Sequence, residues 1–179
     1  MPVAAVIQIR PAPVQVVATP YGTLRTRPQT DADETFLVQL FETVKGPEMA
    51  LLPAEVRENL LRMQYRAMTG AYRTSFPDAS FEIVLLDDRP VGRLIRDAAE
   101  DRLHIVYIAF MPEWRHRGVG SALMRAVMAE AARFQRGCEA IVALDNVASL
   151  GLWSKLGFSE RARDGANVIV DWQSPVTRA

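Results

Sequence analysis

The spacing of apolar positions changes several times along the chain, and each change marks an element. Phe36, Leu37, Leu40, Phe41 and Val44 recur at helical spacing. Thr30 stands before them as a cap, acids follow in the first turn, and Gly46-Pro47 ends the helix. A second helix is expected from about Ala54 to Met68, with Pro53 just ahead of it. Val56, Leu60, Met63 and Ala67 mark its buried stripe, and Gly70 to Ser80 reads as a loop. Three strand-like runs follow: Phe81–Leu86, Val91–Arg96 and Leu103–Phe110. The turns Asp87–Pro90 and Asp97–Asp101 separate them, so the pairing should be an antiparallel meander. The third run is apolar nearly throughout, as in a central strand covered on both faces; His104 and Tyr107 are its exceptions.

Beyond the connection Met111–Arg117, helical spacing returns over Val119–Phe134, and Gly137 reads as its closing glycine. Glu139–Leu144 is a further buried strand. Val147–Leu156 is a short helix ending at Gly157, and Asn167–Trp172 is the last strand. At the start, Thr23–Arg27 is a short strand. Residues 1–22 carry Pro2, Pro11, Pro13 and Pro20 and read as an N-terminal extension, although Val14–Ala18 has the look of an edge strand. The expected order is β-αα-βββ-α-β-α-β, an α/β fold with a mixed sheet, in one domain over residues 23–179.

Composition narrows the function. With 21 basic and 21 acidic residues the formal net charge is zero, so no global field favours nucleic acid. Lys45 and Lys155 are the only lysines. A single cysteine, Cys138, permits no internal disulfide and no cysteine zinc site; with only His104 and His116 beside it, no metal is expected. Val3 to Ile9 is apolar but short and lacks a charged leader, so it does not read as a signal peptide. No apolar run approaches bilayer length. A cytoplasmic protein without membrane contact is the expectation. Dimerisation through an apolar edge in residues 1–22 is a further one.

The most informative stretch is Arg115-His116-Arg117-Gly118-Val119-Gly120-Ser121, set between a buried strand and a helix. Glycines there let the backbone turn tightly and approach a ligand. Unpaired amides at a helix start attract an anion, and Arg115 and Arg117 add positive charge. A phosphate or pyrophosphate site follows. A dinucleotide fingerprint would need glycine at position 123, which is Leu123, and the Gly-Lys-Ser/Thr of a P-loop is absent.

The string Arg115-x-x-Gly118-x-Gly120 resembles the coenzyme A signature of the GNAT N-acetyltransferase superfamily. A second match supports it: Asp145-Asn146-Val147-Ala148-Ser149, then Trp153-Ser154-Lys155-Leu156-Gly157-Phe158. The two motifs cover roughly residues 103–158, and the meander before them suits the family's order. The resemblance implies acetyl-CoA as co-substrate and a small-molecule or peptide amine as acceptor. It implies a V-shaped gap between Leu103–Phe110, splayed at a bulge near its end, and Glu139–Leu144. Pantetheine would lie there, bonded to the backbone of Phe110 and Met111. An amide near Ile108–Phe110 would polarise the thioester. Val119 and Ser121 would complete the phosphate cradle, with Asn146, Ser149 and Trp153 beside the pantetheine.

The chemistry also asks for a base, because an alkylammonium has a pKa of about 10.4. His104 lies 14 positions before Gly118, similar to the placement of a catalytic Glu in the histone-acetyltransferase branch, and it is the candidate. Tyr107 falls on the opposite face if no bulge intervenes, and reads as packing. The family's acid is a Tyr where this chain has Trp153, and indole has no proton to give. Gln64, Tyr65 and Tyr72 flank the expected acceptor site. Arg62, Arg66 and Arg73 read as a solvated face, His116 as a loop residue and Cys138 as structural. An acyl-CoA-binding module without catalysis remains the alternative.

Overall fold

A computed structural model describes residues 11–99 and 101–175. The N-terminal run judged against a signal peptide therefore lies outside the described residues, as does Glu100. Eight strands form one sheet: β1 (Val17–Thr19), β2 (Gly22–Pro28), β3 (Ser80–Leu86), β4 (Arg89–Ala98), β5 (Arg102–Phe110), β6 (Gly137–Ala143), β7 (Ser159–Asp164) and β8 (Asn167–Trp172). Their spatial order is β1-β2-β3-β4-β5-β6-β8-β7, and only β5 and β6 run parallel. The helices are α1 (Glu34–Lys45), α2 (Ala54–Ser75), α3 (Val119–Arg133) and α4 (Val147–Lys155). On one face α1 and α2 pack through Leu37, Phe41, Leu61 and Tyr65 onto Ile83 and Leu85. On the other, α3 packs through Leu123, Val127 and Ala131 onto Leu94, Leu103 and Ile105.

Local chemistry explains most boundaries. Thr30 and Asp33 cap each other before α1: the Thr30 amide donates to Asp33 Oδ2 at 2.8 Å and its hydroxyl at 3.0 Å. Arg27 grips the same carboxylate with two bonds, at 2.8 and 2.6 Å. The Arg27 bond is the main reason that Asp33 titrates at about 2 instead of 3.8. A carboxyl depressed in the fold contributes stability above its unfolded pKa and loses it as protons bind the native state. Stability should therefore fall as pH drops from 3.8 towards 2, and Asp33→Asn should flatten that part of an acid-unfolding curve.

Several expectations need correction. The described part of the expected extension, residues 11–22, belongs to the domain: Val14 is buried in the core and β1 pairs with β2. Helix α2 runs seven residues past Met68 to Ser75, through Gly70, into the expected loop. Its buried side chains are Leu61, Tyr65 and Thr69, while Val56 and Met63 are 51% and 60% exposed. Both sets recur at helical spacing, so periodicity alone could not choose between them. The short hairpin turn between β3 and β4 is Asp87-Asp88, with φ of 44° and 67° at its two central residues. Gln135, not Gly137, takes the left-handed position after α3, and Gly137 opens β6. Strand β7 was missed because Ser159–Asp164 is exposed throughout and has no apolar alternation.

Candidate active site

Strands β5 and β6 pair only over Arg102–Ile105 and Gly137–Ala140. Past that point β5 stays with β4 and β6 stays with β8, so the sheet splits into a V, as expected. The bulge responsible is in mid-strand and not near the strand's end. Ile95 faces Tyr107 and Arg96 faces Ile105, so Val106 is the extra residue. An inserted residue bends and overtwists its strand, which turns β5 away from β6. The bulge also places His104 and Tyr107 on the same face of the sheet, towards α2, against the simple alternation count.

The V holds a cleft of about 500 Å³. Its walls are β5 from Ile105 to Phe110 and β6 from Ala140 to Ala143. Thr43 and Val44 of α1, Tyr72 of α2, and Asn146, Ser149 and Trp153 around α4 close it. It continues past Phe110, Arg115, Ala148 and Leu152 into a second lobe of about 460 Å³ at the start of α3. His116, Gly118, Gly120, Ser121 and Lys155 line that lobe.

The start of α3 is built to stay open. Gly118 has φ of 78°, a left-handed turn for which glycine is suited, and no side chain caps the helix. Gly120 is needed for space, since a Cβ there would lie 3.2 Å from the Phe110 ring. The first-turn amides can thus receive an anion, and Val119 behind them is core. The two arginines each have partners within the chain. Arg115 donates Nε to the Phe110 carbonyl at 2.8 Å and Nη2 to Thr43 Oγ1 at 2.5 Å, so it ties β5 to α1 while also lining the second lobe. Arg117 rests over Tyr21 and Trp114, at 5.5 and 5.9 Å from the ring centroids. Lys155, at the end of α4, is an ammonium that lines the lobe and was not among the expected cofactor contacts.

Backbone groups along β5 are also divided. Met111 donates its N–H to Val91 and the Phe110 carbonyl accepts from Arg115, which leaves the N–H of Phe110 as the backbone group of that pair open to a ligand. Alternation along an antiparallel ladder leaves Ile108 N–H and C=O, and Phe110 N–H, turned to the gap. Asn146 Oδ1 accepts from the Ser149 amide at 3.1 Å and caps α4. Trp153 is buried, donates its indole N–H to Ser149 Oγ at 3.1 Å, and packs on Phe158.

The expected polar machinery is only partly assembled. His104 is not among the residues lining the cleft. It lies below the fork with Nδ1 3.3 Å from Glu139 Oε1, and Glu139 is also held by Arg102 and Arg161. Tyr65 is a core residue packed edge-on to Phe41, and Gln64 does not line the cleft. Tyr72 does line it, and so does Tyr107, which the sequence reading took for packing; their rings are 6.1 Å apart. Burial raises the Tyr72 phenol above its usual range and pushes Tyr107 up to about 12.

Beneath this pair lies Arg93 of β4, 1% exposed. Its guanidinium sits over the rings of Tyr65, Phe81 and Tyr107 at 5.5, 5.6 and 5.8 Å. Among the described residues Thr69 Oγ1, at 3.3 Å from Nη1, is its hydrogen-bond partner, and Nε and Nη2 have none. Burying a charge in this way costs several kcal/mol. Each ring contact offsets roughly 0.5–2 kcal/mol.

An uncapped helix start, joined to a split between two parallel strands, defines the class: an α/β acyltransferase fold with its cleft at the fork. Residues 49–158 match the acetyltransferase (GNAT) family, and the chain belongs to it. Acyl transfer from a coenzyme A thioester is the general chemistry this supports. A search of curated proteins finds no matching sequence. Among solved structures, the chain resembles the PaiA N-acetyltransferase of Thermoplasma acidophilum in complex with coenzyme A. The TM-score is 0.62 at 18% identity, covering 84% of this chain and 98% of that one. RimJ of Mycobacterium smegmatis, in complex with CoA-disulfide, superposes with a TM-score of 0.66 at 16% identity, covering 94% and 91%. PH1933 of Pyrococcus horikoshii gives 0.67 at 15%, covering 86% and 99%. At these identities the likeness concerns the fold. Among the described residues no helix is long and apolar enough to cross a membrane, and no cluster of His, Cys, Asp and Glu could hold a metal.

Proposed function

We propose that this chain is an N-acetyltransferase that moves an acetyl group from acetyl-CoA to a primary amine of a small molecule or peptide. The observation that carries this reading is the continuity of the V with the uncapped start of α3. The diphosphate would rest on the amides between Arg117 and Ser121, with Lys155 alongside. The pantetheine would lie in the V against Ile108 and Phe110, with Asn146, Ser149 and Trp153 opposite. The amine nitrogen bonds to the thioester carbonyl carbon, the C–S bond breaks, the thiolate leaves, and the proton given up by the attacking nitrogen passes to that thiolate or to solvent. The amide of Ile108 or Phe110 would donate to the carbonyl oxygen as negative charge builds there.

No side chain lining the cleft accepts a proton at neutral pH. Tyr72 and Tyr107 are held as neutral phenols, and His104 stands outside. The acceptor would therefore react as its neutral minority, having released its proton to solvent. On this basis kcat/KM should rise about tenfold per pH unit up to the acceptor's own pKa. His104→Ala should stay within about twofold of the parent rate from about pH 6 to 9, because His104 does not line the cleft. A plateau in the parent's pH profile that disappears in His104→Ala would instead make His104 the base. The direct test is thiol release from acetyl-CoA over a panel of amines, amino acids, polyamines and aminoglycosides. Tight coenzyme A binding with no thiol release for any amine would favour an acyl-CoA-binding module.

A further inference from the structure

We propose that Arg93 is the receptor for a carboxylate on the acceptor, so that the amine acetylated here is one that carries an acid group. The inference rests on the acyltransferase reading above and names its substrate class. The observation behind it is the unmatched charge. Among the described residues no carboxylate faces Arg93, and two of its three guanidinium nitrogens donate to nothing. A second cation makes the imbalance larger. Arg73, at the end of α2, lies over the same Phe81 ring at 4.7 Å, so two guanidiniums share one aromatic side chain.

The other buried arginine shows what this protein does when such a group is structural. Arg96 meets Glu82 twice, at 3.0 and 2.6 Å, then Glu130 and the Ala12 carbonyl. Arg93 has the same burial and none of that company. Guanidinium presents its donors as a planar fork that matches the two oxygens of a carboxylate. The open fork edge, Nε with Nη2, is the edge such a group uses.

Position links this charge to the reaction. Arg93 is on the α2 face of the sheet, and Tyr107, 5.8 Å from its guanidinium, lines the cleft together with Tyr72. Arg93 does not itself line the cleft, whereas Tyr107, over which it sits, and Tyr72 do, so the proposal requires the Tyr72 ring to turn aside as the acceptor binds. An acceptor entering from the α2 side would then place its carboxylate on Arg93 and its amine by Ile108, at the mouth of the V. The phenols, kept neutral, would donate to the same carboxylate.

The test compares matched acceptors, each amino acid against its carboxamide, with rates referred to the concentration of neutral amine. The carboxylate form should be preferred at least tenfold. In Arg93→Gln the preference should fall to less than twofold, and Arg93→Lys should recover part of it. Peptide amides beginning with Asp or Glu, against Asn or Gln, distinguish a side-chain carboxylate from a free amino acid. Calorimetry on the coenzyme A-saturated protein, titrated with N-acetyl amino acids and their amides, reads the same preference without turnover. It also remains decisive if no amine is acetylated, which would sink the enzyme reading alone. A wild-type preference below twofold in both rate and binding overturns the proposal whether or not the variants fold.

Discussion

Replacing Gly120 with glutamate should abolish coenzyme A binding while leaving the protein folded. Two effects act together. A Cβ at this position lies 3.2 Å from Phe110 Cε2, so the ring at the junction of the two lobes must give way. The added carboxylate also enters the lobe where first-turn amides and Lys155 face an anion, and like charge there opposes a diphosphate. The combined loss should exceed 100-fold in affinity, about 2.7 kcal/mol or more. Calorimetric titration with coenzyme A measures it, and circular dichroism reports the fold. Retained affinity would mean that the diphosphate binds elsewhere and would remove the basis of the proposed function. Gly118→Ala is a useful contrast. Open space surrounds its Cβ position, so it should act through backbone strain at φ of 78° and change affinity less.

The second large effect concerns stability. Glu82 and Arg96 are wholly buried and joined at 2.6 Å, and the Thr26 hydroxyl also donates to Glu82. Removing one partner of a buried pair leaves an uncompensated charge and costs about 3–5 kcal/mol. Glu82→Leu should approach that range, because Glu130, the other acid on Arg96, is partly exposed and screens less well. For a domain of this size the melting temperature should fall by on the order of 10 °C. The double variant Glu82→Leu with Arg96→Met should recover much of the loss, since apolar replacement of both partners is often neutral. A double variant no more stable than the single would show that the network, and not the stranded charge, is what matters.

Much of the fold was legible because its signals are local. The uninterrupted apolar run of β5, the glycines before α3 and the glycine after α4 each act within a few residues. They located the V and the uncapped start of α3. The acceptor side was less legible. Tyr107 joined the cleft only because Val106 bulges, and a bulge carries no mark in sequence here. Arg115, which lines the second lobe, is also a strut to Thr43, a partner 72 positions away that its sequence neighbours do not reveal. Lys155 was passed over because its place in the second lobe comes from the packing of α4 beside α3.

By itself the sequence determined which segments are helix or strand from Phe81 to Phe158, the glycines at the start of α3, and the family the chain resembles. It could do so because hydrophobic period and glycine conformation are properties of neighbouring residues. Only the tertiary structure decided which stripe of α2 is buried, that β7 exists, that His104 lies below the fork, and that Arg93 is buried without a counter-ion. Those outcomes depend on which distant segments meet, and a charge or a face has no assigned partner until the sheet has closed around it.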